Sequence, residues 1–138
     1  YRAITSAYYK GAQGAIIVFD ITSQSSFDSV ERWMTDLKNN GDAKMIILLV
    51  GNKCDLEANR QITREMAEDK AKNHQIAFIE TSAKDCTNVN KAFDMIIKDM
   101  YEGYKSEEPE EDDNNMHLEP QPKGQDIGVT RVEKKSCC

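Results

Sequence analysis

No cluster of cysteine and histidine at metal-ligand spacing occurs in this sequence. Of its four cysteines, Cys54 and Cys86 stand alone and Cys137-Cys138 are the last two residues, so neither a zinc site nor a disulfide framework is expected. A reducing, cytosolic compartment is the simpler expectation. His74 and His117 have no partner pattern and read as solvated residues rather than ligands or bases. No apolar run approaches the roughly 18 to 20 residues that span a bilayer, and the N-terminus lacks the charged, apolar, then small order of a secretory signal. Excess basic charge is missing too. The net charge is −6, with six negative charges supplied by Glu107, Glu108, Glu110, Glu111, Asp112 and Asp113. Without that run the chain is near neutral, so no basic face points to a nucleic-acid partner.

What is present suits one globular domain: 138 residues, 39% hydrophobic and 30% charged, enough to bury a core of several strands and helices. Three apolar runs recur, each followed by helical periodicity. The first, Gly14-Ala15-Ile16-Ile17-Val18-Phe19-Asp20, has no polar alternation, as a strand buried on both faces requires. Behind it Phe27, Val30, Trp33, Met34 and Leu37 repeat at helical spacing. Ser25 or Ser26 is the expected N-cap, Asp28 falls in the first turn, and Asn39-Asn40-Gly41 is the stop. The second run is Met45-Ile46-Ile47-Leu48-Leu49-Val50; after a polar loop a helix is expected from about Thr63, its N-cap, to Asn73. The third, Ile76-Ala77-Phe78-Ile79, leads through Glu80-Thr81-Ser82-Ala83-Lys84 to a last helix whose expected buried stripe is Val89, Ala92, Phe93, Ile96 and Met100.

Strand–helix alternation with non-alternating strands predicts an α/β fold, a parallel sheet with helices on both faces in three α/β/α layers. Such sheets bind ligands in the loops beyond the C-terminal ends of their strands. From Lys105 the character changes: acidic residues and all three prolines (Pro109, Pro120, Pro122) replace large apolar side chains. Residues 1–104 are therefore expected to fold, and 105–138 to form a flexible tail with an average reach of about 30 to 35 Å as a loose coil.

Two loops follow the second and third runs at the expected end of the sheet: Gly51-Asn52-Lys53-Cys54-Asp55 and Thr81-Ser82-Ala83-Lys84. A guanine base presents adjacent donors, N1–H and the 2-amino group, and one carboxylate can accept from both, as Asp55 is able to do. Its O6 and N7 are acceptors that suit the amide of Asn52 and the backbone N–H of Ala83. Lys53 and Lys84 can lay their methylene stems along the ring faces while their ammonium groups stay wet. Adenine has an acceptor at N1 and would leave Asp55 unpaired, a mismatch that can discriminate by roughly 10⁴. Taken alone, Asn-Lys-x-Asp is as easily an ordinary polar turn. Its position after a buried strand, with Ser-Ala-Lys after the next, makes the base-reading assignment the stronger one.

These residues resemble the guanine-specificity motifs of the Ras-like small GTPases, and the wording elsewhere is similar to the Rab branch. Tyr1-Arg2-Ala3-Ile4-Thr5-Ser6-Ala7-Tyr8-Tyr9-Lys10-Gly11-Ala12 resembles the end of switch II and the helix after it. Phe19-Asp20-Ile21-Thr22, Val30-Glu31-Arg32-Trp33 and Phe78-Ile79-Glu80-Thr81-Ser82-Ala83 also read as Rab, and Tyr1 to Ala12 with Thr87-Asn88-Val89 look closest to the recycling-endosome and secretory branch. The resemblance implies the C-terminal part of a P-loop GTPase (G) domain that binds GTP and GDP with Mg²⁺, hydrolyses GTP, and acts as a switch in vesicle traffic. It assigns guanine binding to Asn52, Lys53, Asp55, Ser82, Ala83 and Lys84, and effector contact to Tyr8, whose plainer reading is an aromatic packed on the sheet. The implied partners are Rab effectors, exchange factors, GTPase-activating proteins, GDP-dissociation inhibitor and an escort protein, but no nucleic acid.

The sequence departs from the family pattern in having no Gly-x-x-x-x-Gly-Lys-[Ser/Thr] loop, no switch I threonine and no Asp-x-x-Gly. In the family these precede the segment matched by Tyr1, and they handle phosphate, magnesium and the attacking water. Hydrolysis is thus expected of a full-length parent, with base recognition alone expected here. The other readings are a lipid-anchored non-catalytic module or a partial gene product. Without the strand that the family places beside Gly14–Asp20, that run is expected to be an apolar edge and the chain alone poorly soluble or molten.

Lys134-Lys135-Ser136-Cys137-Cys138 resembles the Rab prenylation ending, in which Cys137 and Cys138 carry two lipid chains; two chains anchor stably where one is marginal. A strained vicinal disulfide or idle thiols are the alternatives. The implied location is the cytoplasmic face of endosomal or secretory membranes, cycling with the cytosol. The acidic run ahead of this ending would be repelled by an anionic bilayer and reads as a solvated spacer.

Overall fold

Each apolar run becomes a strand and each amphipathic stretch a helix, the first two of which return the chain to start the next strand. A computed structural model describes residues 7–106. In chain order these form β1 (Gly14–Asp20), α1 (Gln24–Asn40), β2 (Ile46–Asn52), a 3₁₀ turn at Glu57–Asn59, α2 (Arg64–His74), β3 (Ala77–Glu80) and α3 (Val89–Lys105). The sheet is parallel in the order β1-β2-β3. Gly14 pairs with Ile46 through to Asp20 with Asn52, and Leu48 with Ala77 through to Gly51 with Glu80. Parallel pairing puts all three C-terminal strand ends on one rim, and the register sets Asp20 beside Asn52 and Gly51 beside Glu80.

Alternation along the strands sorts the core into two layers. Ile17, Phe19 and Leu49 face Phe27, Val30, Met34 and Leu37 of α1 and Ala67 and Ala71 of α2. Leu48, Val50 and Ile79 face Ala92 and Ile96 of α3. The architecture is thus the expected α/β sheet with helices on both faces. Burying each of the large side chains contributes about 1.5 to 3 kcal/mol. Phe19 adds ring contacts, edge-on to Phe27 at 5.0 Å and stacked on Phe78 at 6.3 Å.

Several boundaries differ from the sequence reading. Gly51 and Asn52, expected in a loop, belong to β2, because the ladder with β1 continues through Phe19–Gly51 and Asp20–Asn52. The N-cap of α1 is Ser23, not Ser25 or Ser26; its hydroxyl accepts from the Ser26 N–H. Ser26 instead receives the Asp20 N–H at 3.0 Å and donates to the Ser23 carbonyl at 2.8 Å. Asp28 is not in the first turn and accepts from Gln24 Nε2 at 2.9 Å. Thr63 caps α2, accepting from the Met66 N–H, and Gly41 ends α1 with its N–H on the Leu37 carbonyl, both as expected.

Two expected core residues lie outside the core. Trp33 is 38% exposed, with the Arg32 guanidinium over its ring at 5.0 Å. Phe93 is 53% exposed, and Ile97, Tyr101 and Tyr104 are similarly open. In α3 the apolar arc is wider than the strip that meets the sheet, so helical spacing counted both parts as core. On the sheet side, β1 pairs with β2 alone among the described residues, and its Val18 is 56% exposed. No helix among the described residues is long and apolar enough to cross a membrane. Tyr1, Cys137, Cys138 and almost all of the expected tail lie outside the described residues.

Candidate nucleotide-base site

The strand register carries the two motif loops toward each other. Beyond the last β2–β3 pair, the Thr81 N–H donates to the Gly51 carbonyl at 2.9 Å and the Cys54 N–H to the Thr81 carbonyl at 3.0 Å. Backbone pairing therefore continues out of the sheet and ties the loops at their bases. Space is tight at this crossing: a Cβ on Gly51 would sit 3.0 Å from the Phe19 ring, 3.2 Å from Ile21 and 3.4 Å from Phe78.

Side chains complete the tie. Asn52 Oδ1 accepts from the Ala83 N–H at 3.1 Å and from the Thr81 hydroxyl at 3.2 Å. With Oδ1 held by two donors, the amide orientation is fixed and Nδ2 is left as a donor. Ser82, fully buried, donates its hydroxyl to Asp55 Oδ1 at 2.6 Å and accepts from the Asp85 N–H at 3.3 Å. Asp55 itself is exposed. One donor does not exhaust an ionised carboxylate, which has lone pairs for about four hydrogen bonds. Lys53 and Lys84 are exposed as well.

The structure thus brings Asn52, Asp55, Ser82 and Ala83 into one bonded cluster. Two details differ from expectation. The Ala83 N–H, expected to face one of the two base acceptors, donates to Asn52 Oδ1 instead. The Lys53 ammonium binds Asp20 Oδ2 at 2.6 Å. Burial raises the Asp20 carboxyl, but hydrogen bonds from Lys53 and Thr22 outweigh it and hold the group below its ordinary range. Asp20 is fixed in turn by the Thr22 N–H and hydroxyl at 2.8 and 2.7 Å.

Backbone strain is concentrated here. Among the described residues the non-glycine left-handed positions are Lys53, Gln75, Cys86 and Asn88. Gln75 ends α2; the other three lie in or beside the two loops. Such conformations cost on the order of 1 kcal/mol each and persist where the surroundings over-determine them. Asn88 is expressly held, donating Nδ2 to the Glu80 carbonyl at 2.9 Å. Burial, then the Asp85, Glu80 and Asp55 carboxylates, push the Cys54 thiol up from its ordinary range. Among the described residues no group of three or more carboxylate, histidine or cysteine side chains is placed to hold a metal ion.

Sequence reasoning missed Asp20 and Arg60. Asp20 was visible as the polar residue ending the first run and within Phe19-Asp20-Ile21-Thr22, but without a role at the site. Arg60 grips Glu80, Glu57 and the Ile62 carbonyl, and the pairing with Glu80, then Glu57, raises its guanidinium well above its ordinary range. Tyr8 stands apart from the cluster, 77% exposed, and it is Tyr9 that packs on the core.

A parallel α/β sheet with two interlocked loops at its C-terminal rim belongs to the class of architectures whose ligands bind beyond the strand ends. Comparison with known proteins narrows the class. The family model described as Ras family matches residues 1–102. Ras-related protein Rab-25 of Bos taurus is 42% identical over 100% of this chain and 64% of its own length. GTP-binding protein ypt3 of Schizosaccharomyces pombe is 46% identical over 85% of this chain and 55% of its own. Ras-related protein RABA1e of Arabidopsis thaliana is 43% identical over 100% and 65%. The chain belongs to the Ras family and is of the Rab small-GTPase type. It spans 64% of the length of Rab-25 and 55% of that of ypt3.

Proposed function

We propose that the two loops read the guanine base of GTP or GDP in a Rab GTPase that switches vesicle-mediated membrane traffic. The observation that carries this reading is the Ser82–Asp55 bond at 2.6 Å together with the Asn52–Ala83 bond at 3.1 Å. Those contacts tie an exposed carboxylate and an amide donor, Asp55 and Asn52 of one loop, to Ser82 and Ala83 of the other, the chemistry that guanine's two edges demand. Asp55 takes the N1–H and 2-amino donors, Asn52 Nδ2 and the Ala83 N–H serve N7 and O6, and Lys53 and Lys84 flank the ring. Ser82 orients Asp55.

Hydrolysis of GTP, with magnesium, belongs in this reading to the whole protein; the described residues contribute base recognition. Tyr8, exposed ahead of β1, is an effector contact. Cys137 and Cys138 carry prenyl groups that hold the protein on the cytoplasmic face of endosomal or secretory membranes. Exchange factors, GTPase-activating proteins, GDP-dissociation inhibitor and escort protein are its regulators. What supports these assignments is membership of the Ras family and likeness to Rab relatives.

The test is Asp55→Asn in the longest polypeptide the gene encodes, with GDP and xanthosine diphosphate in competition. An amide donor then faces the carbonyl that xanthine carries at that edge, so preference should turn toward xanthosine diphosphate by about tenfold or more. Retained preference for GDP would remove Asp55 from the base site.

A further inference from the structure

The motif residues tie the loops near the base, but exposed Asp55 cannot alone fix how far apart the loops stand. A second tie lies behind it. Arg60 follows Asp55 in the same loop, and Glu80 is the last residue of β3, just ahead of Thr81-Ser82. Arg60 Nη1 donates to Glu80 Oε1 at 2.6 Å and Nη2 to Oε2 at 3.2 Å. The same guanidinium donates to the Ile62 carbonyl at 3.0 Å and to Glu57 at 2.7 and 2.9 Å. The two side chains are only 16% and 13% exposed. The Glu80 carbonyl is capped by Asn88. A closed ring results, in which Asp55 touches Ser82, Ser82 runs back to Glu80, Glu80 grips Arg60, and Arg60 runs back to Asp55.

We propose that Arg60 and Glu80 are a positioning pair that sets the separation of the two base-reading loops and thereby the selectivity of the site for the 2-amino group of guanine. This rests on the base-reading role proposed above for Asp55. A guanidinium meeting a carboxylate through two parallel bonds fixes an angle as well as a distance, which an ammonium does not. Sheltering the pair from water strengthens it and makes its loss felt. Asp55 contacts the 2-amino group only if its loop keeps its distance from the other loop, whose Ala83 N–H holds the far edge of the base. When that spacing relaxes, the two-point contact becomes a one-point contact, and hypoxanthine, which lacks the 2-amino group, binds nearly as well.

The measurement is the affinity ratio of GDP to inosine diphosphate in the longest polypeptide the gene encodes, for the unsubstituted protein, Arg60→Lys and Glu80→Gln, with thermal melts alongside. Glu80→Gln keeps side-chain size, and both variants keep a polar contact while losing the two-bond ion pair. The expected result is a GDP preference reduced about tenfold in each, with a cooperative melt retained. Equal weakening of both nucleotides, with the ratio unchanged, would make the pair a stabiliser only and overturn the inference. Loss of a cooperative melt in both conservative variants would overturn it likewise, by making the pair a requirement of the fold. An unsubstituted protein that prefers GDP neither to inosine diphosphate nor to ADP overturns the base-reading role itself. That outcome is distinguishable because it needs no substitution.

Discussion

Removing one oxygen atom, in Ser82→Ala, tests whether the two loops cooperate. The hydroxyl is fully buried and donates to Asp55 Oδ1 at 2.6 Å. A hydrogen bond to a charged acceptor contributes about 1.5 to 3 kcal/mol. Asp55 is exposed, so water recovers part of that loss, which points to the lower end of the range. The second contact, from the Asp85 N–H, is long at 3.3 Å and its donor can turn to solvent, adding a few tenths of a kcal/mol at most. Ser82→Ala should therefore destabilise by about 1 to 2 kcal/mol. Asp55→Ala strands the buried hydroxyl without its acceptor, with a similar penalty. The double variant removes donor and acceptor together, so the losses should not add, and the coupling should be about 1 kcal/mol. Urea unfolding of the four proteins of this cycle, made in the longest polypeptide the gene encodes, measures it. A coupling below about 0.4 kcal/mol, the scatter of independent sites, would mean that Ser82 does not orient Asp55. A second readout follows from the same bond. Freed of Ser82, the Asp55 carboxylate must be ordered by the ligand, which should weaken GDP two- to fivefold, an entropic cost of about 0.5 to 1 kcal/mol.

Two further outcomes follow from the same rim. Gly51→Val puts branched carbon within the space of Phe19, Ile21 and Phe78 and should destabilise by about 1 to 3 kcal/mol, read as a lowered urea midpoint, whereas no shift would mean that the strand crossing has slack. Asp20 has a lowered carboxyl pKa in the folded state, so its contribution is present above the unfolded value near about pH 4 and is lost as pH falls through the folded value. Asp20→Asn, which keeps an acceptor for Thr22, should make the acid limb of the melting-temperature profile between about pH 5 and pH 2 shallower, and an unchanged limb would refute the Asp20–Lys53 assignment.

What the sequence disclosed and what it withheld divide along a physical line. A run without polar alternation marks a strand, so Gly14–Asp20 could be bounded to the residue from composition alone, although Val18 proves exposed and the strand is not buried on both faces. The place of the two motif loops was legible because parallel pairing puts the ends of β2 and β3 on one rim. Helix faces were harder. Periodicity identifies an apolar arc but not the neighbour that covers it, which is why Phe93 was counted with Ile96 although only Ile96 meets Leu48 and Val50. Caps among Ser23, Ser25 and Ser26 are chemically equivalent in sequence, and the choice is made by where the Asp20–Ser26 bond lets the first turn begin.

Ion pairs between separate elements are harder still, since nothing local distinguishes Arg60 from any other loop arginine. Its meaning depends on Glu80 arriving at the same rim through a parallel crossover. The same holds for Asp20 and Lys53, which the β1–β2 register brings together. Residues that would touch a ligand can be inferred from the ligand's chemistry, but residues that position them answer only to geometry. A site of this kind therefore has an outer layer that no motif search reaches. The left-handed backbone at Lys53, Cys86 and Asn88 belongs to that layer, for it is imposed by bonds made elsewhere, such as Asn88 to Glu80. If selectivity resides in the spacing of the loops, proteins with the same motif letters can differ in base preference through this layer alone.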